Sequence, residues 1–193
     1  MKKKIIGIDI DGVITDENHL NDNIWHDALC KFMGCKLERV KESYYFTEAY
    51  DLPLEVIEKF MEEHTEKIMS MVKPMEGARE TIEKLRNNGF EIHLITARNP
   101  TLVDLTSEWL EKYKIPFTSL THEENKAPLA LDKGIELFVE DNAFNALQLI
   151  TEGIHVILLE KYHNVHIKDN KEIIRVNTWE EIKDNIFNYY KLD

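Results

Sequence analysis

The stretch "IIGIDIDGVITD", residues 5–16, sets three carboxylates, Asp9, Asp11 and Asp16, into an apolar, β-branched run. Aspartate and glycine are depleted in strands, so this composition requires an explanation. One interpretation is a hairpin, because Asp11-Gly12 between alternating hydrophobic residues is a strong hairpin signal. The other is a chemical site, since residues i and i+2 of a strand point to the same side and would place Asp9 beside Asp11. When two carboxylates lie this close together, either the pKa of one of them is raised or a cation binds between them. The stretch alone leaves both interpretations open.

The bulk composition is that of an ordinary globular chain. Its 193 residues have room for one domain with a modest insertion. The apolar fraction of 43% and the charged fraction of 31% are typical of a protein with a full core. The net charge of −12 argues against binding to a nucleic-acid polymer, because proteins that do so are basic. An anionic substrate would therefore need a local cationic site.

Neither a signal peptide nor a membrane span is indicated. The N-terminal "MKKK" precedes an apolar run that Asp9 and Asp11 interrupt, and no uncharged stretch approaches 18 residues. The lone pair Cys30 and Cys35 is weak evidence for zinc and is typical of reduced thiols. The eight histidines show no metal-ligand spacing, and we interpret them as structural or surface residues. We therefore expect a cytoplasmic protein with no membrane partner.

Apolar runs suited to strands alternate with amphipathic helical patterns. The predicted strands are 3–10, 90–96, 116–120, 135–140, 155–160 and 173–176, and the predicted helices between and after them are 77–89, 101–113, 142–153 and 177–190. The last helix begins with a capping box, Thr178 with Glu181. Strands that alternate with helices predict βαβ units, and hence an α/β fold whose parallel sheet is covered on both faces.

One region interrupts this alternation. From Glu17 to about Lys73 the apolar periodicity is helical, in "NIWHDALCKFMG" and "LPLEVIEKFMEEHTEKIMSMV". A segment of roughly 55 residues is too long for an ordinary connection. We therefore predict an α/β core formed by residues 1–16 and 74–193, with a small helical cap, residues 17–73, inserted after the first strand.

Three of the predicted strands end in reactive side chains. They are Asp9 and Asp11 at the end of the first, Thr96 and Arg98 at the end of the second, and Glu140 and Asp141 at the end of the fourth. In open parallel sheets, ligands bind beyond the carboxyl ends of the strands, so these side chains are expected to converge on one crevice. Carboxylates gathered there form a hard-oxygen site suited to Mg²⁺, and a cation would remove the repulsion between the first two carboxylates.

Four ordered motifs carry a resemblance to a known family. They are the DxDG of residues 9–12 followed by Val13, Thr96 at the end of "HLIT", Lys126 in "ENKAPLA", and "FVEDN". Over nearly the whole chain these motifs resemble the haloacid dehalogenase (HAD) superfamily of phosphohydrolases, and the cap between the first two is similar to that of the 5'(3')-deoxyribonucleotidase-like branch. The resemblance implies a HAD-like Rossmannoid core of three layers, with a squiggle and a hairpin flap after the first strand. The two interpretations of the opening stretch are then not exclusive.

The resemblance also implies residue roles. Asp9 would be the nucleophile that forms an aspartyl-phosphate. Asp11 would act as general acid and then as general base. A Mg²⁺ cofactor would be held by Asp9, the backbone carbonyl of Asp11, and Asp141. Thr96 and Lys126 would bind phosphoryl oxygens.

Several assignments have alternatives. The backbone N–H groups of Ala97 and Arg98 are further candidate phosphate donors, and the Arg98 side chain suits a phosphate contact or an ion pair. Glu140 stands where the family more often has Asp, so it either reaches the metal, directly or through water, or supports Lys126. Lys133 is an alternative to Lys126 for the cationic role.

The predicted activity is that of a Mg²⁺-dependent phosphomonoesterase, and the favoured substrate class is (deoxy)nucleoside monophosphates, which would make it a 5'-nucleotidase. A phosphatase for a sugar or other small phosphate ester is the alternative, because the core motifs are common to both and specificity lies in the cap. Aromatic residues of the cap are candidates for stacking on a base, although aromatics at helical spacing are more often core. They are Trp25, Phe32, Tyr44, Tyr45, Phe46 and Tyr50.

A signalling receiver domain is a rival from another class, since it also gathers acids, a Thr and a Lys around Mg²⁺. It lacks a helical insertion, however, and it requires an acceptor Asp after its third strand, where "PFTSL" has none. The expected partner is a small-molecule phosphate ester, and the sequence is compatible with a homo-oligomer.

Overall fold

The structure is a computed structural model that describes residues 3–18, 23–168 and 171–192. Its strands are β1 (Ile5–Ile8), β2 (Thr15–Asp16), β3 (Lys73–Pro74), β4 (Glu91–Thr96), β5 (Ser119–His122), β6 (Leu137–Glu140), β7 (His155–Leu159) and β8 (Ile173–Val176). Six of them form a parallel sheet in the order β5-β4-β1-β6-β7-β8. The chain order reverses on either side of β1. In such sheets the crevice beyond the strand ends at this point is the usual ligand site.

The described helices are α1 (Ile24–Met33), α2 (Phe46–Tyr50), α3 (Leu54–Met71), α4 (Ala78–Asn87), α5 (Val103–Lys112), α6 (Lys126–Asp132), α7 (Ala143–Thr151) and α8 (Trp179–Tyr190). Alternate side chains of β1 enter different apolar layers. Ile6 and Ile8 pack with α4, α5 and α8, whereas Ile5 packs with α6 and α7. The predicted α/β fold, with a parallel sheet between two helical layers, is therefore confirmed.

The opening stretch leaves the sheet earlier than predicted. β1 ends at Ile8, because the carbonyl of Ile10 accepts hydrogen bonds from the N–H groups of Val13, Ile14 and Thr15 and so closes a tight turn. β2 then pairs antiparallel with β3 rather than with the main sheet. The prediction of a strand through residue 10 was thus wrong at its end, and the Asp-Gly sequence forms part of this turn.

The third predicted strand, 116–120, is displaced towards the C-terminus. Pro116 has no N–H to donate to a ladder, and the strand β5 pairs with β4 only from Ser119 to His122. At the other end of the chain half of the predicted capping box is present, because the Glu181 side chain bonds the residue before the N-cap rather than Thr178 itself. Thr178 Oγ1 accepts from the N–H of Glu181 at 3.2 Å, and Glu181 Oε2 accepts from the N–H of Asn177 at 2.6 Å.

Helices α1, α2 and α3 lie between β2 and β3 in the chain and have an apolar core of their own, centred on Leu29 and Phe60. Leu102 and Leu105, at the start of α5, pack against this core. Cys30 and Cys35 are free thiols. In the described part of the chain, no helix combines the length and apolarity needed to cross a membrane.

Candidate active site

A cavity of about 460 Å³ lies beyond the carboxyl ends of β1, β4 and β6 and extends to the helices α1–α3. Seven of the predicted site residues line it, namely Asp9, Asp11, Thr96, Ala97, Arg98, Lys126 and Asp141. Glu140, the eighth, has no exposed surface and lies behind this wall. The predicted residues at the strand ends therefore lie around one cavity, as the sequence led us to expect.

Lys126 is held between two carboxylates. Its Nζ lies 2.7 Å from Asp9 Oδ1 and 3.0 Å from Glu140 Oε1. It is the first residue of α6 and is 2% exposed, so it is not a solvated surface lysine. Lys133, the alternative cation, lies just after the end of α6 and outside the lining of the cavity.

Glu140 accepts three hydrogen bonds from the protein, one of them from Lys126 Nζ. Its Oε1 also accepts from Asn145 Nδ2 at 2.5 Å, and its Oε2 accepts from the N–H of Asp141 at 3.2 Å. Of the alternatives left by the sequence, this geometry favours support of Lys126.

Asp11 has a different cation from Asp9. Arg98 donates through Nε to Asp11 Oδ2 at 2.8 Å and through Nη2 to Asp11 Oδ1 at 2.6 Å. The third contact of the guanidinium is with Thr106 Oγ1, at 3.1 Å. Of the two alternatives for the Arg98 side chain, a phosphate contact or an ion pair, the structure therefore contains the ion pair. Such bidentate geometry fixes the orientation of the carboxylate.

Thr96 closes a short turn at the end of β4. Its Oγ1 accepts from the N–H of Arg98 at 3.2 Å, which is the local backbone contact that a hydroxyl at a strand end commonly makes. Its side chain also lines the cavity beside Ala97. The hydroxyl hydrogen is still available as a donor to a ligand.

Three acidic side chains are close enough to share a cation. One carboxylate oxygen from each of Asp9, Glu140 and Asp141 lies within 4.8 Å of the other two. Gly12 makes room for this group, because a Cβ at Gly12 would lie 2.2 Å from Asp141 Oδ2. Asp141 is not the N-cap of α7. Asn142 has that role, and its side chain accepts from two backbone N–H groups of the helix.

The carboxylates of this group are difficult to ionise together, because they are buried close to one another. Burial raises the pKa of Asp9 well above its ordinary value, and Glu140 raises it further. Burial also raises the pKa values of Glu140 and Asp141. Burial alone would lower the pKa of the Lys126 ammonium, but Asp9 and Glu140 together raise it. The inner site thus places four carboxylates, Asp11 included, against the two buried cations Lys126 and Arg98. This imbalance suits a divalent cation.

His163 belongs to the site, so the interpretation of all histidines as structural or surface residues was wrong for this one. Its Nε2 lies 3.3 Å from Asp141 Oδ2. Its Nδ1 is buried and has no hydrogen-bond partner among the described residues. His163 lies in the segment that follows β7. Its position shortly after the end of a strand was the only feature of the sequence that could have placed it in the site.

The far end of the cavity is mainly apolar. It is lined by Trp25, Phe46, Ile57, Met61, Met69 and Leu102, whereas Tyr44, also a lining residue, packs against His163 near the carboxylates. Two of the predicted stacking candidates are not part of the lining. Phe32 packs against Phe60, and Tyr50 stacks on His26. The remaining aromatic candidates all line the cavity.

Glu17 is a lining residue that the sequence did not single out. Trp25 Nε1 donates to its Oε1 at 3.1 Å. Burial raises the pKa of Glu17 to about 8, with further contributions from Asp11 and Asp141. An isolated Glu after the opening motif carries no spacing signal, so only the fold places it here.

The chain is similar to known proteins over nearly its whole length. The family model described as "5' nucleotidase, deoxy (Pyrimidine), cytosolic type C protein" matches residues 3–191. A nucleotidase of Clostridium acetobutylicum is 36% identical over 187 residues, which cover 94% of this chain and 93% of that protein.

A more distant relative and a solved structure agree with this match. A protein of Chlorobaculum tepidum with the provisional description 5'(3')-deoxyribonucleotidase is 25% identical over 205 residues, covering 94% of this chain and 89% of that protein. A haloacid dehalogenase-like hydrolase of Streptococcus pneumoniae superimposes with a TM-score of 0.69 at 13% identity, over 97% of this chain and 98% of that one. The latter likeness shows the fold.

Proposed function

The chain belongs to the cytosolic type C 5'-nucleotidase family of the HAD superfamily and is a phosphoric monoester hydrolase, and we propose that it is a Mg²⁺-dependent 5'-nucleotidase for (deoxy)nucleoside monophosphates. The observation that carries this proposal is the two-ended cavity. One end gathers carboxylates, a lysine and a threonine, and the other is apolar and aromatic. A phosphate fits the first end and a nucleobase fits the second.

The donor set supports a divalent cation. Asp9 and Asp141, together with the backbone carbonyl of Asp11, would hold Mg²⁺, a hard ion that prefers oxygen ligands. When bound, the ion would neutralise the phosphate and orient it for in-line attack. Glu140 would contribute indirectly, because its oxygens already accept from Lys126, Asn145 and the N–H of Asp141.

Asp9 is the proposed nucleophile. Its carboxylate oxygen would attack phosphorus and the bond to the leaving oxygen would break, which gives an aspartyl-phosphate and divides one displacement into two. Lys126 orients Asp9 through the 2.7 Å ion pair. Lys126 and the Thr96 hydroxyl would bind phosphoryl oxygens, and the N–H of Ala97 is a further donor.

Asp11 is the proposed acid and base. In the first step the protonated form of Asp11 would give its proton to the leaving oxygen, and in the second its carboxylate, the form that pairs with Arg98, would take a proton from the water that attacks the phosphoenzyme. Arg98 is then a positioning residue, since both of its contacts to Asp11 fix the carboxylate against the rim of the cavity. Its contact with Thr106 holds the guanidinium in turn.

We further propose that residues 17–73 act as the cap that selects the substrate. The apolar end of the cavity is formed largely by side chains of this segment, such as Phe46 and Met61. A small sugar phosphate would leave that apolar surface uncovered, so the geometry favours a nucleotide over the sugar-phosphate alternative.

The test is a phosphatase screen with Mg²⁺ over nucleoside monophosphates and sugar phosphates, repeated in excess EDTA. We expect kcat/KM for the best nucleoside monophosphate to exceed that for glucose 6-phosphate at least about tenfold, since a buried apolar group contributes selectivity of this order. EDTA should abolish turnover and Mg²⁺ should restore it. A preference for sugar phosphates would favour the alternative substrate class, and full activity in EDTA would overturn the metal assignment.

A further inference from the structure

Glu17 has no role in the chemistry proposed above, yet its carboxyl group faces the reacting end of the cavity. It lies at the start of the inserted segment and lines the cavity together with Asp11 and Asp141. The charges of Asp11 and Asp141 both act on it. Its side chain is therefore near the position that the first atoms of the leaving group would take.

The protein holds this carboxyl group in place. The indole N–H of Trp25 donates to Glu17 Oε1 at 3.1 Å, and the carbonyl of Glu17 accepts from the N–H of Ile24 at 2.7 Å. Oε2 makes no hydrogen bond with any residue in the described ranges. One carboxyl oxygen is thus anchored, and the other is available to a ligand.

Trp25 connects Glu17 to the apolar end of the cavity. Its ring packs against Phe46 with centroids 6.4 Å apart, and both rings line the cavity. Glu17 therefore stands at the junction between the phosphate end and the apolar end. In a nucleoside monophosphate, the sugar occupies this position between the phosphate and the base.

We propose that Glu17 is a specificity-determining residue that hydrogen-bonds a sugar hydroxyl of the leaving group. The inference rests on the proposed nucleotidase function and adds a requirement to it, namely a free hydroxyl on the sugar. An ionised carboxylate accepts a hydrogen bond from such a hydroxyl, and a protonated one both accepts and donates, so either form serves.

A hydroxyl suits this site better than a cationic group. The burial of Glu17 and the charges of Asp11 and Asp141 raise its pKa and favour its neutral form, and together they outweigh the opposing charge of Lys161. A neutral acid attracts an ammonium group only weakly but pairs well with a hydroxyl. A polar contact buried in this way also discriminates strongly, because a substrate that lacks the hydroxyl leaves the carboxyl group unpaired.

The experiment compares thymidine 5'-monophosphate with 2',3'-dideoxythymidine 5'-monophosphate, which lacks the 3'-hydroxyl. The quantity is the ratio of their kcat/KM values, measured for the wild type, Glu17→Ala and Glu17→Gln. We expect a ratio of about 10 to 100 in the wild type, a ratio near 1 in Glu17→Ala and an intermediate one in Glu17→Gln. Glu66→Gln removes an exposed glutamate of α3 and should keep the wild-type ratio.

The outcomes separate the two proposals. If the wild type hydrolyses both nucleotides with a ratio near 1, or if Glu17→Ala keeps the wild-type ratio, Glu17 does not read a sugar hydroxyl, and the nucleotidase function stands. If the wild type hydrolyses no nucleoside monophosphate while it hydrolyses p-nitrophenyl phosphate, the nucleotidase proposal fails and this inference fails with it. Circular dichroism of each variant identifies a loss of fold.

Discussion

The two ends of the cavity are built by different forces. At the carboxylate-rich end, where we propose that phosphate binds, the carboxylates of Asp9 and Asp11 are each held by a buried cation, Lys126 or Arg98, at 2.6 to 2.8 Å. At the other end, side chains such as Ile57 and Phe46 make apolar contacts without directional bonds. The first arrangement fixes atoms for chemistry, and the second offers a shape for binding. Substitutions at the two ends should therefore fail in different ways.

The largest effect is expected at Asp9. Asp9→Asn keeps the size of the side chain but replaces the nucleophile by a far weaker one, so turnover should fall by at least about 10⁴-fold. Initial rates with p-nitrophenyl phosphate measure this loss. Asp132→Asn, at the exposed end of α6, is the matched control. A loss of less than about tenfold in Asp9→Asn would rule out the covalent route.

Asp11→Asn should damage the two chemical steps unequally. A p-nitrophenolate group leaves without much protonation, whereas a nucleoside requires a proton, so turnover of a nucleoside monophosphate should fall by about 10²–10⁴-fold in the first step. With p-nitrophenyl phosphate, the second step should become limiting and phosphoenzyme should accumulate as a burst. Rapid-quench measurements with both substrates decide this. Equal losses without a trapped intermediate would mean that Asp11 only shapes the site.

A substitution at the apolar end should weaken the binding of a nucleoside monophosphate more than that of the smaller p-nitrophenyl phosphate. Met61→Ala removes apolar surface from the cavity, and kcat/KM for a nucleoside monophosphate should fall about tenfold further than that for p-nitrophenyl phosphate. Met71→Ala is the matched control, because Met71 is 59% exposed at the end of α3. If both substrates lose equally in Met61→Ala, the apolar end does not bind the base.

The smallest effect concerns stability and tests Glu17, which lies between the two ends. Its pKa is raised to about 8 from the ordinary 4.5, so the folded protein binds the proton more tightly than the unfolded chain does. This contribution to stability is complete below about pH 4.5 and is lost as the pH rises towards 8. Because glutamine does not titrate, the melting temperature of Glu17→Gln should exceed that of the wild type by a margin that grows between pH 5 and 8.

Thermal unfolding in EDTA across this pH range measures the difference, since a bound cation would change the charges around Glu17. Glu66→Gln, with an exposed carboxylate, should follow the wild-type curve. Parallel curves for Glu17→Gln and the wild type would show that Glu17 titrates as in water.

Much of the fold was predictable because its signals are local. Strand and helix periodicities extend over a few residues, and together with the motif order they led to the parallel sheet and the HAD resemblance, both now confirmed. Reactive residues at or directly after strand ends, such as Thr96 and Asp141, were found by the same rule, because all carboxyl ends of a parallel sheet meet at one edge.

The partners of these residues depended on the tertiary structure. Arg98 and Asp11 are 87 residues apart, and no local pattern distinguishes their ion pair from a phosphate contact. The positions of Glu17 and His163 are of the same kind, since each enters the cavity from a segment outside the four motifs. The sequence by itself determined which elements form and which strand ends carry chemistry, because backbone geometry repeats over short distances. Only the packing of distant segments decided which charge meets which, because ion pairs and burial depend on proximity in space rather than along the chain.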